Sequence, residues 1–238
     1  MKKVSGWIVL KIRGLLKTVQ RSVFKELLVI GDSHVRILST NRVRFAFPFY
    51  YIKRVAVGGA TVSGLENPNS KTQAFDIFMK AIRESNAKKI VVILGEVDTG
   101  FVIWYRAEKY QTNVSFIFDE AVKKYQKFLL LLSEDHEVIC VSTPLPTIID
   151  GQEWGPVADA RKEVKATQLE RTNLTLSFNK EMKEFCENNK ITYVDLDSQS
   201  LGDNGLVDNR LLRKDPYDHH YDPTAYSKLI ISGLRGKL

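Results

Sequence analysis

Five short apolar runs punctuate the chain at residues 27–30, 52–57, 89–94, 137–142 and 191–196. Each has strand length, and the segments between them carry apolar residues at helical spacing: 35–41, 72–85, 116–132 and 165–188, with 224–234 closing the chain. Strands alternating with helices are joined most simply as βαβ units, which give one parallel sheet covered by helices on both faces. Two stretches do not declare a regular element. Residues 42–51 crowd Phe45, Phe47, Phe49, Tyr50 and Tyr51 around Pro48, and residues 99–115 hold Trp104, Tyr105, Arg106 and Tyr110. Thr172, Asn173 and Thr175 weaken the middle of the helix over 165–188.

The expected architecture is a three-layer α/β/α sandwich with a five-stranded parallel sheet. Five strands allow the flavodoxin-like order 2-1-3-4-5, with strands one and three at the switch point where ligands collect. The 238 residues fit one such domain, expected over 26–238. The formal charge of +7 does not belong to it. Residues 1–25 hold seven of the 35 Lys and Arg and no acid, so the other 28 cations balance the 28 acids of the body. Within residues 4–20, Val4, Ile8, Ile12, Leu15 and Val19 fall on one helical face, with Lys11, Arg13 and Lys17 elsewhere. Such a basic amphipathic segment either lies on an anionic membrane surface or packs on the domain. No nucleic-acid motif accompanies these cations, and no nucleic-acid partner is expected.

Cys140 lies in an apolar run and Cys186 in a helical pattern, which suits two core thiols rather than a disulfide or a zinc site. No run reaches the roughly 18 apolar residues of a membrane span, and Trp7 to Leu10 is broken by Lys11 and Arg13 without a cleavage site. The expectation is a cytoplasmic protein, membrane-peripheral where residues 1–25 lie on lipid rather than pack on the domain. The oligomeric state is not legible.

Chemistry gathers where the strands end. The first run, Leu27-Leu28-Val29-Ile30, exits into Gly31-Asp32-Ser33-His34. Taken alone, Asp32 or Ser33 reads as the cap of the next helix, and a serine on such a turn also suits an acyl-transfer nucleophile. The second run ends at Gly58-Gly59 and the third at Gly95-Glu96-Val97-Asp98, on the same rim of the sheet. Before the last helix stands Asp215-Pro216-Tyr217-Asp218-His219-His220-Tyr221-Asp222. A serine, glycine amides and an acid–histidine cluster are the parts of an acyl-transfer site.

On these residues the chain resembles the SGNH, or GDSL-like, hydrolase family. Gly31-Asp32-Ser33 resembles its first block, with Ser33 as nucleophile, and Gly59 the second-block glycine whose amide helps form the oxyanion hole. Gly95 and Asp98 match the ends of the third block, and His220, six residues before Tyr226, the catalytic histidine of the fifth. The resemblance implies an α/β/α fold, no cofactor, no metal and a serine esterase. Its substrates would be small-molecule or carbohydrate esters, with acyl transfer as the neighbouring activity. Asp32, Gly59, Gly95 and Asp98 would flank the oxyanion and substrate.

The sequence departs from the family twice. The third-block asparagine, an oxyanion donor, is replaced by Val97, which leaves a binding protein that kept the fold as the alternative. A Gly-Glu-(Ile/Val)-Asp form of that block resembles bacterial proteins associated with surface polysaccharides. The fifth block normally places an acid three residues before the histidine, and Tyr217 stands there. Asp215 and Asp218 are the substitutes, with Asp215 preferred because a residue two before the histidine points elsewhere in a simple turn. Asp98-Thr99-Gly100 is a single aspartic-protease-like triplet without a second copy. Asp218, His219, His220 and Asp222 are metal-ligand types, although adjacent histidines rarely converge on one ion. His34 and His136 read as surface or supporting groups, and Trp104, Tyr105 and Trp154 as packing or a sugar-facing surface.

Overall fold

In this computed structural model residues 24–151, 164–215 and 217–238 are described. The N-terminal amphipathic pattern and Trp154 therefore lie outside the described residues. The strands are β1 (Lys25–Gly31), β2 (Tyr50–Ala56), β3 (Lys89–Ile93), β4 (Glu137–Val141) and β5 (Thr192–Val194). They pair in parallel in the order β2-β1-β3-β4-β5. The three-layer sandwich and the 2-1-3-4-5 order expected from the sequence are thus both present. Helices α1 (Asn41–Ala46), α2 (Ala74–Arg83), α3 (Ile103–Lys109), α4 (Val114–Ser133), α5 (Gln168–Asn188), α6 (Asp197–Ser200) and α7 (Pro223–Leu234) join them, with short 3-10 turns, among the described residues.

The strand period of two divides the core. Leu28, Ile30, Ile90 and Val92 face one layer and pack on Phe78, Tyr125, Phe128 and Phe178 from α2, α4 and α5. Leu27, Val29, Val91 and Ile93 face the other, with Leu38, Val43, Tyr226 and Ile230. A sheet buried on both faces accounts for the continuous rather than alternating apolar runs.

Three local expectations are corrected. Residues 33–39 form a 3-10 helix rather than an α-helix, and the aromatic stretch contains both α1 and the start of β2. The insertion after β3 is helical, a π-turn over Asp98–Val102 running into α3. In α5, Thr172 and Thr175 do not break the helix. Each hydroxyl donates to the carbonyl four residues earlier, on Gln168 and Arg171, at 2.8 Å.

Candidate active site

Gly31 closes β1 because nothing larger fits. A Cβ there would fall onto the Ile93 carbonyl oxygen and within 2.7 Å of Val35. The chain then turns sharply into Ser33, the first residue of the 3-10 helix. Asp32 holds that turn, its Oδ1 accepting the His34 N–H at 2.8 Å and lying 3.0 Å from His34 Nδ1. The capping role read for Asp32 and the exposed-serine role read for Ser33 therefore coexist.

A second Asp-x-His turn faces the first. Asp218 Oδ1 accepts the His220 N–H at 3.0 Å and lies 2.6 Å from His220 Nδ1. His220 Nε2 lies 2.8 Å from Ser33 Oγ. Asp222, two residues further on, caps α7 through the amides of Thr224 and Ala225, and Pro223 occupies its first turn. The cap and proline fix the chain direction just after His220.

Asp215, preferred from the sequence, is not at the imidazole. Its carboxylate accepts the Tyr217 N–H at 3.0 Å, while Asp218 holds the ring. The physical reason is the turn: a carboxylate that bonds the N–H two residues on is carried beside that residue's own side chain. Arg213 completes the arrangement, pairing with the other Asp218 oxygen and donating to the Tyr221 carbonyl at 3.2 Å. Sequence reasoning passed over Arg213. The repeated Asp-x-His spacing was its available signal for Asp218.

The other candidates divide. Asp98 is fully buried and accepts the amides of Val62 at 2.8 Å and Ser63 at 3.2 Å. It pins the loop after β2 and does not line the cleft over Ser33; its single buried carboxyl is not a protease dyad. Asp32 is likewise buried, and Gly95 is a packing position whose Cβ would meet Thr143 Oγ1 at 2.6 Å and Phe178 at 2.9 Å. Reading these three as substrate contacts is corrected to a positioning role. Gly59 differs: it is exposed, at φ +72°, on the loop that follows β2 beside Gly31. Among the described residues neither its amide nor that of Ser33 donates to an acceptor.

His34 is buried, and its ring centroid lies 4.8 Å from that of His220. Burial, then the nearby His34, holds His220 below the usual imidazole pKa against the opposing pull of Asp218 and Glu96. Burial pushes Asp218 up, but the bonds from His220 and the charge of Arg213 outweigh it and hold the carboxyl below its usual range. The ring therefore stays neutral near neutral pH, ready to accept a proton. Asp218, His219 and His220 offer ligand atoms within 4.8 Å of one another, but Asp218 and His220 are already bonded together and Asp222 is a cap. A cleft of about 580 Å³ opens over Ser33 and His220, walled by Arg36, Ile37, Arg213 and Tyr217.

The parallel 2-1-3-4-5 sheet with helices on both faces is the α/β/α fold of the SGNH, or GDSL-like, hydrolases. Several solved structures share this fold. A GDSL-like lipase from Bacteroides thetaiotaomicron is 15% identical with a TM-score of 0.58, the match covering 90% of this chain and 87% of that one. An acetylxylan esterase from Geobacillus stearothermophilus, solved as a catalytic mutant, is 15% identical with a TM-score of 0.53, covering 89% and 93%. A further acetyl xylan esterase, AlAXEase, is 12% identical with a TM-score of 0.55, covering 90% and 99%. No family model and no curated protein matches the sequence. No helix among the described residues is long and apolar enough to cross a membrane.

Proposed function

We propose that the protein is a serine ester hydrolase that removes O-acyl groups, in particular O-acetyl groups carried by a carbohydrate. The continuous contact Ser33 Oγ–His220 Nε2–His220 Nδ1–Asp218 carries this reading. The acetylxylan esterases among the structural neighbours support the substrate class.

In the first half-reaction Ser33 Oγ attacks the ester carbonyl while His220 Nε2 takes the hydroxyl proton. The oxyanion sits against the amides of Ser33 and Gly59, which donate to no other acceptor among the described residues. As the carbon–alcohol oxygen bond breaks, His220 returns the proton to the leaving alcohol and Ser33 is left acylated. Water then gives a proton to His220 as its oxygen attacks the acyl carbon; when the Ser33 Oγ–acyl bond breaks, His220 returns that proton to Ser33 Oγ and the carboxylic acid leaves. A second alcohol in place of water makes the same site an acyltransferase. Val97 adds no polar group, and one missing oxyanion donor is worth on the order of 3–4 kcal/mol, so a modest turnover number is expected.

The test is covalent. A fluorophosphonate should label the wild-type protein and not Ser33→Ala, and acetate release from an aryl acetate and from acetylated xylan should vanish in the same variant. Absence of labelling, or full activity in Ser33→Ala, refutes the hydrolase. Absence of labelling would leave the alternative of a binding protein that kept the fold.

A further inference from the structure

A second surface lies along the seam of α1 and α7, which begins at the wall of the cleft with Thr40 and Tyr226. Phe45 and Phe49, four residues apart at the junction of α1 and β2, are 82% and 75% exposed. Arg42 and Arg44 are exposed on the same short helix. Beside them Arg42, Lys228, Ile231, Ser232 and Arg235 enclose a small cleft of about 260 Å³ between α1 and α7. Three cations and no carboxylate line it. Among the described residues none of Arg42, Arg44, Lys228 and Arg235 is paired with an acid. Like charges gathered this way repel one another until an anion joins them.

The basic N-terminal segment joins the fold beside this surface. Lys2, Lys3, Lys11, Arg13, Lys17 and Arg21 precede residue 24 with no acid among them, and the Lys25 N–H donates to the Phe49 carbonyl at 3.1 Å. The described chain thus enters the fold beside the exposed Phe49.

We propose that this surface docks on an anionic lipid bilayer. A lipid phosphate occupies the cleft of Arg42, Lys228 and Arg235, Phe45 and Phe49 enter the headgroup boundary, and the cations of residues 1–23 add long-range attraction. Tyr50 and Lys25 are paired at the amino ends of β2 and β1, whereas Ser33 follows the carboxyl end of β1. Phe49, whose carbonyl accepts the Lys25 N–H, thus lies at the end of the sheet away from Ser33. The proposal concerns binding alone and stands apart from the esterase reading.

The full chain should be sedimented with phosphatidylcholine vesicles, with and without phosphatidylserine, over a range of salt. Binding should require phosphatidylserine and fall as salt rises. Each near-surface cation is worth roughly a five-fold change in affinity. Arg42→Gln/Lys228→Gln/Arg235→Gln should therefore weaken binding at least ten-fold, and Phe45→Ser/Phe49→Ser should weaken it at all salt concentrations, with melting temperatures and fluorophosphonate labelling unchanged. Neutralising Lys11, Arg13 and Lys17 to Gln separates the segment from the patch. If that variant loses all binding while both patch variants keep it, the patch is overturned. No vesicle binding by the wild type, or binding of these residues to RNA in its place, overturns it too.

Discussion

Asp218→Asn tests the contact that distinguishes this site from a serine and a histidine that merely lie close. Asp218 Oδ1 takes both the ring and the backbone N–H of His220, and its other oxygen meets Arg213. Protonation at Nδ1 leaves the Nε2 lone pair for the Ser33 proton 2.8 Å away. An asparagine has only one oxygen for these two duties. Turned toward His220, its NH₂ opposes Arg213; turned toward Arg213, its NH₂ opposes Nδ1 and forces the proton onto Nε2, where the ring cannot act as a base. Losing the charge-assisted bond to the imidazolium removes roughly 3 kcal/mol from the transition state. A productive tautomer reduced to about a tenth adds about 1 kcal/mol, so kcat should fall roughly 1000-fold on an aryl acetate, with KM little changed. The pH profile gives a second readout. The wild-type rate should rise as His220 loses its proton, with an inflection below the ordinary value of 6.5 because burial and His34 lower that pKa. Asp218 opposes that lowering, so Asp218→Asn should move the inflection to still lower pH. Asp215→Asn should leave rate and profile intact, since that carboxylate bonds only the Tyr217 amide in this region. Activity of Asp218→Asn within ten-fold of wild type, or equal damage from Asp215→Asn, refutes the reasoning.

Gly31→Ala should lower stability by about 1–3 kcal/mol, and the melting temperature by several degrees, because its Cβ would meet a backbone carbonyl that cannot swing aside. An unchanged melting curve contradicts the packing argument. Asp98 should make the fold respond to acid in an unexpected direction. Burial raises its carboxyl from 3.8 to about 6, against the lowering by the Val62 and Ser63 amides. The folded chain therefore takes up this proton before the unfolded chain does, and the group's contribution to stability grows as pH falls from neutrality through 6 and levels off below 3.8. Over the full window the gain is about 3 kcal/mol, of which roughly 1 kcal/mol accrues between about pH 7 and pH 5. Urea unfolding of wild type and Asp98→Asn at both pH values measures it, and parallel changes in the two proteins would show that Asp98 does not titrate this way.

The parts of this molecule legible in its sequence are those whose signal is repeated. Each strand is a run of apolar residues because both faces of the sheet are covered, and five such runs survive an error in any one. Local geometry is decided by single bonds and is harder to read. Thr172 and Thr175 looked like weak points because a β-branched residue disfavours a free helix, yet their hydroxyls bond back to the preceding turn and α5 runs through. The start of α5 lies at the Thr167–Glu170 capping box, later than the helical periodicity alone placed it. Residues 99–115 looked irregular because a π-turn over Asp98–Val102 shifts the helical phase and blurs the period. Asp218 is the sharpest case. Counting back three residues from His220 follows a motif, whereas the bond follows a turn in which an aspartate reaches the amide two residues on. Asp32 and His34 make the same turn. The first Asp-x-His presents the serine between its acid and its histidine, and the second aims its histidine at that serine. One local device, used twice, thus builds both halves of the site, and its only trace in the sequence is a two-residue spacing too short to weigh without the fold that brings the halves together.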